Sequence, residues 1–191
     1  MTNVLITPPA LEPLTLAEAK DFLRLDTSDE DTLVAALIIA ARQAVERDTR
    51  RALITQTWRI VLDAWSDLTT FKIPLAPFLS LGPIRTYDAA SVASVLSAGA
   101  YYVDAQPGAA RVQFLVAPPT PGRAIAGIEI DVVIGYGAAA AAVPEPLRLA
   151  MRMLVARWFE ARGDAAVDAG AMATPPHIDA LLAPFRILRL K

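Results

Sequence analysis

From Leu33 to Ala41 the chain is apolar without a break, and the run then opens into Arg42, Glu46, Arg47 and Arg50. At helical spacing Leu33, Leu37, Ala40 and Ala44 share one face, and Val34, Ile38, Ala41 and Val45 share the neighbouring one. Ser28 predicts the cap of this helix, and Asp29, Glu30 and Asp31 place negative charge at its positive end. The pattern carries the helix to about Arg51. An apolar arc this wide covers more than one partner helix can. Either it is the centre of a bundle, or a second copy of the chain completes it. In the second case Leu33, Val34, Leu37, Ile38, Ala41 and Arg42 are the inter-subunit residues.

On the N-terminal side, residues up to Leu14, with Pro8, Pro9 and Pro13, read as an irregular lead-in. Thr15–Glu18 (TLAE) is a capping box that starts a short helix over about Leu16 to Leu25. The polar turn Asp26–Ser28 joins the two helices into a hairpin. After Ala52 β-branched residues and partial alternation predict a strand over about Ile54 to Leu62. Further strands are predicted at Thr70–Ile73, Ile84–Asp88, Val92–Leu96, Tyr101–Asp104, Arg111–Leu115 and Ile125–Ile134. Pro74, Pro77, Gly82-Pro83, Gly99, Pro107-Gly108 and the Pro118–Gly122 stretch punctuate them. Short strands so spaced predict a small antiparallel sandwich or barrel.

Beyond Gly135-Tyr-Gly137 and Ala138–Ala142, Val143–Pro146 opens a third helix. Leu147, Ala150, Met151, Leu154 and Trp158 form its apolar face, and Gly163 is its stop. Asp164–Pro176 is a small-residue linker, followed by a short helix over about His177 to Leu182 and a tail. The fold class is therefore α+β. A helical core spans residues 1–53 and 136–183, a β-rich insertion spans 54–135, and a C-terminal tail spans 184–191.

Composition narrows the function more than it suggests one. A chain of 191 residues, 54% hydrophobic, can bury one sizeable core. Its 18 basic and 20 acidic side chains leave a net charge of −2, which argues against a phosphate-gripping surface. There is no cysteine, hence no disulfide and no thiolate metal site. No basic segment precedes an apolar run as in a signal peptide, and no stretch reaches the ~18 apolar residues of a membrane span. The expectation is a soluble protein made in the cytoplasm, with no membrane contact.

Catalytic chemistry is hard to assemble from these residues. The single histidine, His177, reads as a helix-capping or surface residue. Asp26, Asp29, Glu30 and Asp31 lack the alternating ligands and central glycine of a calcium loop. Gly135 and Gly137 suit a strand end that needs permissive dihedrals, not a phosphate cradle. Arg42, Arg47, Arg50 and Arg51 are offset by Glu46 and Asp48 and read as a solvated or inter-subunit face. Trp58, Trp65 and Trp158 read as core anchors. No enzyme, cofactor or metal is expected. The competing classes are a nucleic-acid-binding small-barrel module and a hydrolase using an Asp or Ser of the β region.

Phe185, Ile187, Leu188 and Leu190 give the chain end an apolar character that a small domain seldom shows. They either fold back on their own core or dock into another protein. At ~1.5–3 kcal/mol per buried side chain they would contribute roughly 6–12 kcal/mol. Ordering about eight residues costs a similar amount at ~1.5 kcal/mol each. One tail binds marginally, whereas many tails on one ring bind firmly.

Several stretches resemble tailed-phage head–tail connector proteins, also called adaptors or head-completion proteins, of HK97-like phages, prophages and gene transfer agents. They are Leu14–Lys20 (LTLAEAK), Asp29–Asp31 opening the long helix, Arg51–Trp58 (RALITQTW), Val143–Arg148 (VPEPLR), Trp158–Glu160 and Leu181–Arg186 (LLAPFR). The resemblance spans almost the whole chain. It implies a ring, commonly of twelve subunits, seated beneath the portal in the neck of a phage-like particle. The C-terminal segment would enter the portal, which assigns portal binding to Phe185, Arg186, Ile187, Leu188, Arg189 and Leu190. Another face would receive the stopper, neck or tail protein, while genomic DNA passes through the channel without sequence-specific binding. The β insertion is larger than in compact members, and two roles stay open for it: widening the ring contacts, or reaching the capsid or tail.

Overall fold

The computed structural model describes residues 1–106, 110–161 and 174–187. Among them the chain divides into two compact units, one of residues Met1–Ala10 and Thr55–Tyr136, the other of Leu11–Ile54 and Gly137–Lys191. Gly163 and residues 164–173 of the expected linker lie outside the described residues, as do Leu188–Lys191.

Among the described residues the β unit holds eight strands: β1 (Thr2–Thr7), β2 (Gln56–Leu62), β3 (Thr70–Lys72), β4 (Phe78–Tyr87), β5 (Ala93–Val95), β6 (Tyr101–Asp104), β7 (Arg111–Phe114) and β8 (Ile128–Ile134). They form a five-stranded sheet in the order β1-β2-β8-β4-β5 and a three-stranded sheet in the order β3-β7-β6. Every pairing is antiparallel. Among the described residues both sheets are open and neither closes as a barrel.

The lead-in is where the sequence reading needs correction. Thr2–Thr7 is not irregular but a strand, with Val4 opposite Arg59 and Leu5 opposite Trp58 of β2. Residues Met1–Ala10 accordingly belong to the β unit and not to the helical core. Prolines 8 and 9 mark where this strand stops, which is a place proline tolerates. Strand β4 also runs further than expected, straight through Gly82 and Pro83. Its register with β8 shifts between Leu81 and Ile84, so these two residues sit at an irregularity and not in a turn. A side chain on Gly82 would press on Asp131, its cross-strand neighbour.

Alternation sorts the long strands into two faces. On one face Ile60, Ile84, Ile128, Ile130 and Val132 are fully buried. On the other, Arg59 of β2 and Arg85 of β4 flank Asp131 of β8 at 2.7 Å each. Arg59 also meets Glu129 at 3.1 Å, and the Tyr87 hydroxyl donates to Glu129 at 2.9 Å. Burial alone would push the Asp131 carboxyl up, but bonds from the two guanidiniums outweigh it and hold the group below the usual carboxylate range. Between β2 and β3, Trp65 stands edge-on to Phe71 and Phe114 of the smaller sheet, at 6.3 and 4.9 Å between ring centres.

The helical unit consists of α1 (Leu16–Leu23), α2 (Asp31–Thr49), α3 (Glu145–Glu160) and α4 (Pro176–Leu182), with α2 packed against the other three. The capping box at Thr15 forms as expected, with Glu18 closing it. The start of α2 differs from expectation. Glu30, not Ser28, occupies the cap position and makes no side-chain cap bond. Asp31 in the first turn is instead held by Lys20 of α1 at 2.6 Å. Leu147, Met151 and Leu154 of α3 are buried as the periodicity predicts; Phe159 completes that face, while Trp158 is half-buried. Gly135 (φ 134°) and Gly137 (φ 159°) both take conformations open to glycine, at the exit from β8. No helix among the described residues is long and apolar enough to cross a membrane.

Two outcomes follow. Asp131 is depressed in the folded state, so its stabilisation is fully present above the unfolded value near ~3.9 and lost as pH falls through the lower folded value. Asp131→Asn should therefore cost roughly 1–3 kcal/mol near neutrality. The gap in Tm between the native chain and the variant should shrink below about pH 4, as read by thermal melts across pH. Ile38, only 3% exposed, anchors α2 in its own unit. Ile38→Ala should lower unfolding free energy by about 2–5 kcal/mol in the isolated chain, measured by urea titration.

Candidate functional site

Two surfaces were expected to carry assembly: one face of α2 and the C-terminal segment. The structure treats the six α2 residues unequally. Val34, Ile38, Ala41 and Arg42 are buried in their own chain, and Leu33 and Leu37 are half-buried. Four of the six residues assigned to a second copy are therefore core. Periodicity reveals an apolar face but not what covers it, and here α1, α3 and α4 cover it. The part of α2 left open carries Ala35, Ala36 and Ile39, with Ile39 43% exposed. Beside it runs an apolar groove of about 360 Å³ lined by Leu11, Leu14, Leu16, Ala35, Ile38 and Ile39.

Arg42 is buried for a stated reason. Its Nε donates to Glu12 at 2.7 Å and its Nη1 to Glu46 at 2.8 Å. Burial disfavours its charge, yet the two carboxylates more than offset this and raise its pKa above the ordinary value. Glu46 uses its other oxygen to accept the Leu53 amide at 2.9 Å. A parallel arrangement ties α3 down. Arg148 reaches the Pro13 carbonyl at 3.0 Å, Glu145 at 3.0 Å, and Glu18 of the capping box.

The described half of the tail is held at one place. A 3₁₀ turn over Ala183–Phe185 follows α4. The Phe185 carbonyl accepts from Arg51 Nε at 2.6 Å, and the Ile187 amide donates to the Thr49 carbonyl at 3.2 Å. That carbonyl belongs to the last turn of α2, where backbone acceptors have no partner within the helix. Arg50, next in the chain, is in the left-handed conformation at φ 59° and ends the helix. The Arg186 guanidinium pairs with Asp179 of α4. This bond holds the Asp179 carboxyl below its usual range and raises Arg186. Phe185, Arg186 and Ile187 are thus half-buried and seated against the end of α2 and α4. Leu188, Arg189 and Leu190 lie outside the described residues.

The basic group is dispersed accordingly. Arg42 is core, Arg51 holds the tail root, and Arg47 and Arg50 are exposed. Sequence reasoning missed Arg51 because its partner lies 134 positions away, with no periodic signal to link them. His177 is exposed in the first turn of α4. No group of three or more His, Cys, Asp or Glu able to hold a metal ion occurs among the described residues. What the arrangement offers is shaped apolar and hydrogen-bonding surface.

Comparison with known proteins agrees in kind. The family described as Phage gp6-like head-tail connector protein matches residues 13–74, from the turn before α1 through β3. No curated protein matches the sequence. Among solved structures, a chain in the neck of an empty gene transfer agent particle, computed with C6 symmetry, is 30% identical. The likeness covers 100% of this chain and 98% of that one, with a TM-score of 0.84. A chain in the virion of a native gene transfer agent particle is 30% identical over the same shares, with a TM-score of 0.82. One in the neck of a native particle, computed with C12 symmetry, is 29% identical over the same shares, with a TM-score of 0.81. With likeness running end to end at this level, the chain belongs to the phage gp6-like family of head–tail connector proteins.

Proposed function

We propose that this chain is the structural subunit of a neck ring in a phage-like particle, linking the portal above to the stopper, neck or tail protein below. The observation that carries the reading is the full-length likeness to a neck protein of a gene transfer agent particle with C12 symmetry. Copies close head to tail, so each offers two different surfaces. The ring holds twelve subunits, and DNA passes through its channel. A net charge of −2 suits that passage, since strong phosphate contacts would hold the DNA back. The subunit acts by shape and contact and performs no chemistry.

Phe185 to Leu190 form the portal-docking segment in this reading. What supports it is the seating of the segment's first residues, 185–187, against the end of α2 and α4. On the ring side, Leu33 and Leu37 keep some exposure, and Ala35, Ala36 and Ile39 add an open apolar strip beside them. These residues replace Val34, Ile38, Ala41 and Arg42 as the α2 contribution to the inter-subunit face. The domain division proposed here is a helical connector core at Leu11–Ile54 and from Gly137 onward, with a β unit of Met1–Ala10 and Thr55–Tyr136 beside it in the sequence.

Electron microscopy of the chain mixed with its portal tests the reading. The expected result is a ring with six- or twelvefold symmetry attached to the portal; a monomer that ignores the portal sinks it. Removing Leu188–Lys191 should leave the thermal midpoint within about 2 °C, because the contacts at Thr49, Arg51 and Asp179 remain. The same truncation should abolish attachment to the portal. Normal attachment by the truncated chain would remove the docking role from the tail.

A further inference from the structure

The five-stranded sheet ends in two edges of unusual character. At one end, among the described residues, β1 pairs only with β2, and all six of its residues are exposed, Val4, Leu5 and Ile6 at 44%, 42% and 46%. At the other end, among the same residues, β5 pairs only with β4 and is exposed throughout. Neither edge carries a charge. Thr2–Thr7 has none, nor does the whole stretch Ser91–Ser97 around β5. A sheet that stays alone in water guards such edges with lysine, proline or inward charge, because unpaired N–H and C=O groups invite another strand.

A head-to-tail ring needs two different surfaces that fit each other on every copy. The two edges of one sheet are such a pair. We propose that β5 of one copy adds to β1 of the next, so that the five-stranded sheet continues from subunit to subunit around the ring. The inference rests on the ring reading above and names the backbone contact that closes it. Its direction follows from the topology. Every neighbouring pair in this sheet is antiparallel and the strands number five, so β1 and β5 run the same way. A joint that continues the sheet is therefore parallel. The partner of β5 is Thr2–Leu5, the half of β1 whose register is regular, since the irregularity falls between Leu5 and Thr7. With only Ala93–Val95 on the other side, each joint is short. A closed ring holds each copy at two joints, which makes short ones sufficient. The second copy is thereby the occupant of an edge that its own chain leaves bare.

Because the chain has no cysteine, cross-linking reads this contact cleanly. Ser94→Cys is combined in turn with Asn3→Cys, Val4→Cys and Leu5→Cys, and rings assembled on the portal are mildly oxidised. Adjacent paired strands lie about 4.8 Å apart, within reach of a disulfide. At least one pair should give a ladder of covalent multimers on a non-reducing gel, reaching the ring number, while each single-cysteine variant stays monomeric. In the native chain, hydrogen exchange at residues 2–5 and 93–95 should slow at least about tenfold on ring formation. Rings that form with no ladder from any pair and no added protection at these amides overturn the inference and leave the ring standing. Dimers from single-cysteine variants overturn it too, by showing like edges meeting. If microscopy finds no ring at all, the ring reading falls and this contact falls with it.

Discussion

A single guanidinium, Arg42, holds together the part of the molecule on which the rest depends. It sits in the middle of α2, 8% exposed, between Glu12 and Glu46, and Glu46 in turn takes the Leu53 amide. The chain crosses between its two units after Ala10, after Ile54 and after Tyr136. Glu12 and Leu53 lie within two residues of the first and second crossings. One part-buried ionic cluster therefore ties down the helical unit close in sequence to two of the three crossings. A hydrophobic residue in place of Arg42 could be as stable in principle, but it would not specify these two exits.

The same division of labour appears in the β unit. Fully buried isoleucines on one face of the large sheet supply the nonpolar burial. The opposite face carries Arg59, Arg85, Glu129 and Asp131, with side chains 13–27% exposed. Paired charges across neighbouring strands pin the register, since a slip of one residue would bring this face into the core. The sheet is thus held in register at its centre while its two edges stay free of charge. A rigid centre with bare edges is what a subunit needs if its sheet is to meet copies of itself without losing its own fold.

Much of this was legible in the sequence, and the failures have physical causes. The capping box at Thr15 and the strand Tyr101–Asp104 follow from local chemistry and formed as read. Strand β1 was hidden because three prolines dominate the first 14 residues, although Pro8 and Pro9 only end it. The first half of β4 was hidden because Gly82-Pro83 has the composition of a turn, and only a cross-strand partner reveals a bulge there. On α2 the periodicity found the apolar faces correctly but could not divide core from interface. Val34 and Ile39 differ by a rotation of the helix that only the packed neighbours decide. The tail root was illegible for a different reason: a side chain and a carbonyl distant in sequence meet by tertiary structure alone.

In the proposed docking role, the root of the tail is the part that makes a weak segment useful. A free eight-residue tail would lose about as much in ordering as its four apolar side chains could return. In this chain the first part of that ordering is complete before any partner arrives. Arg51 holds the Phe185 carbonyl, Thr49 takes the Ile187 amide, and Asp179 holds Arg186. One of these contacts uses the Thr49 carbonyl in the last turn of α2, where backbone acceptors lack a partner within the helix, so it ties the tail root to the helix end. Repeated around a ring, the same arrangement would present every tail at the same height and spacing. Under the proposed docking role, effective concentration would do the remaining work, because the first tail to bind would place the others within reach of their sites.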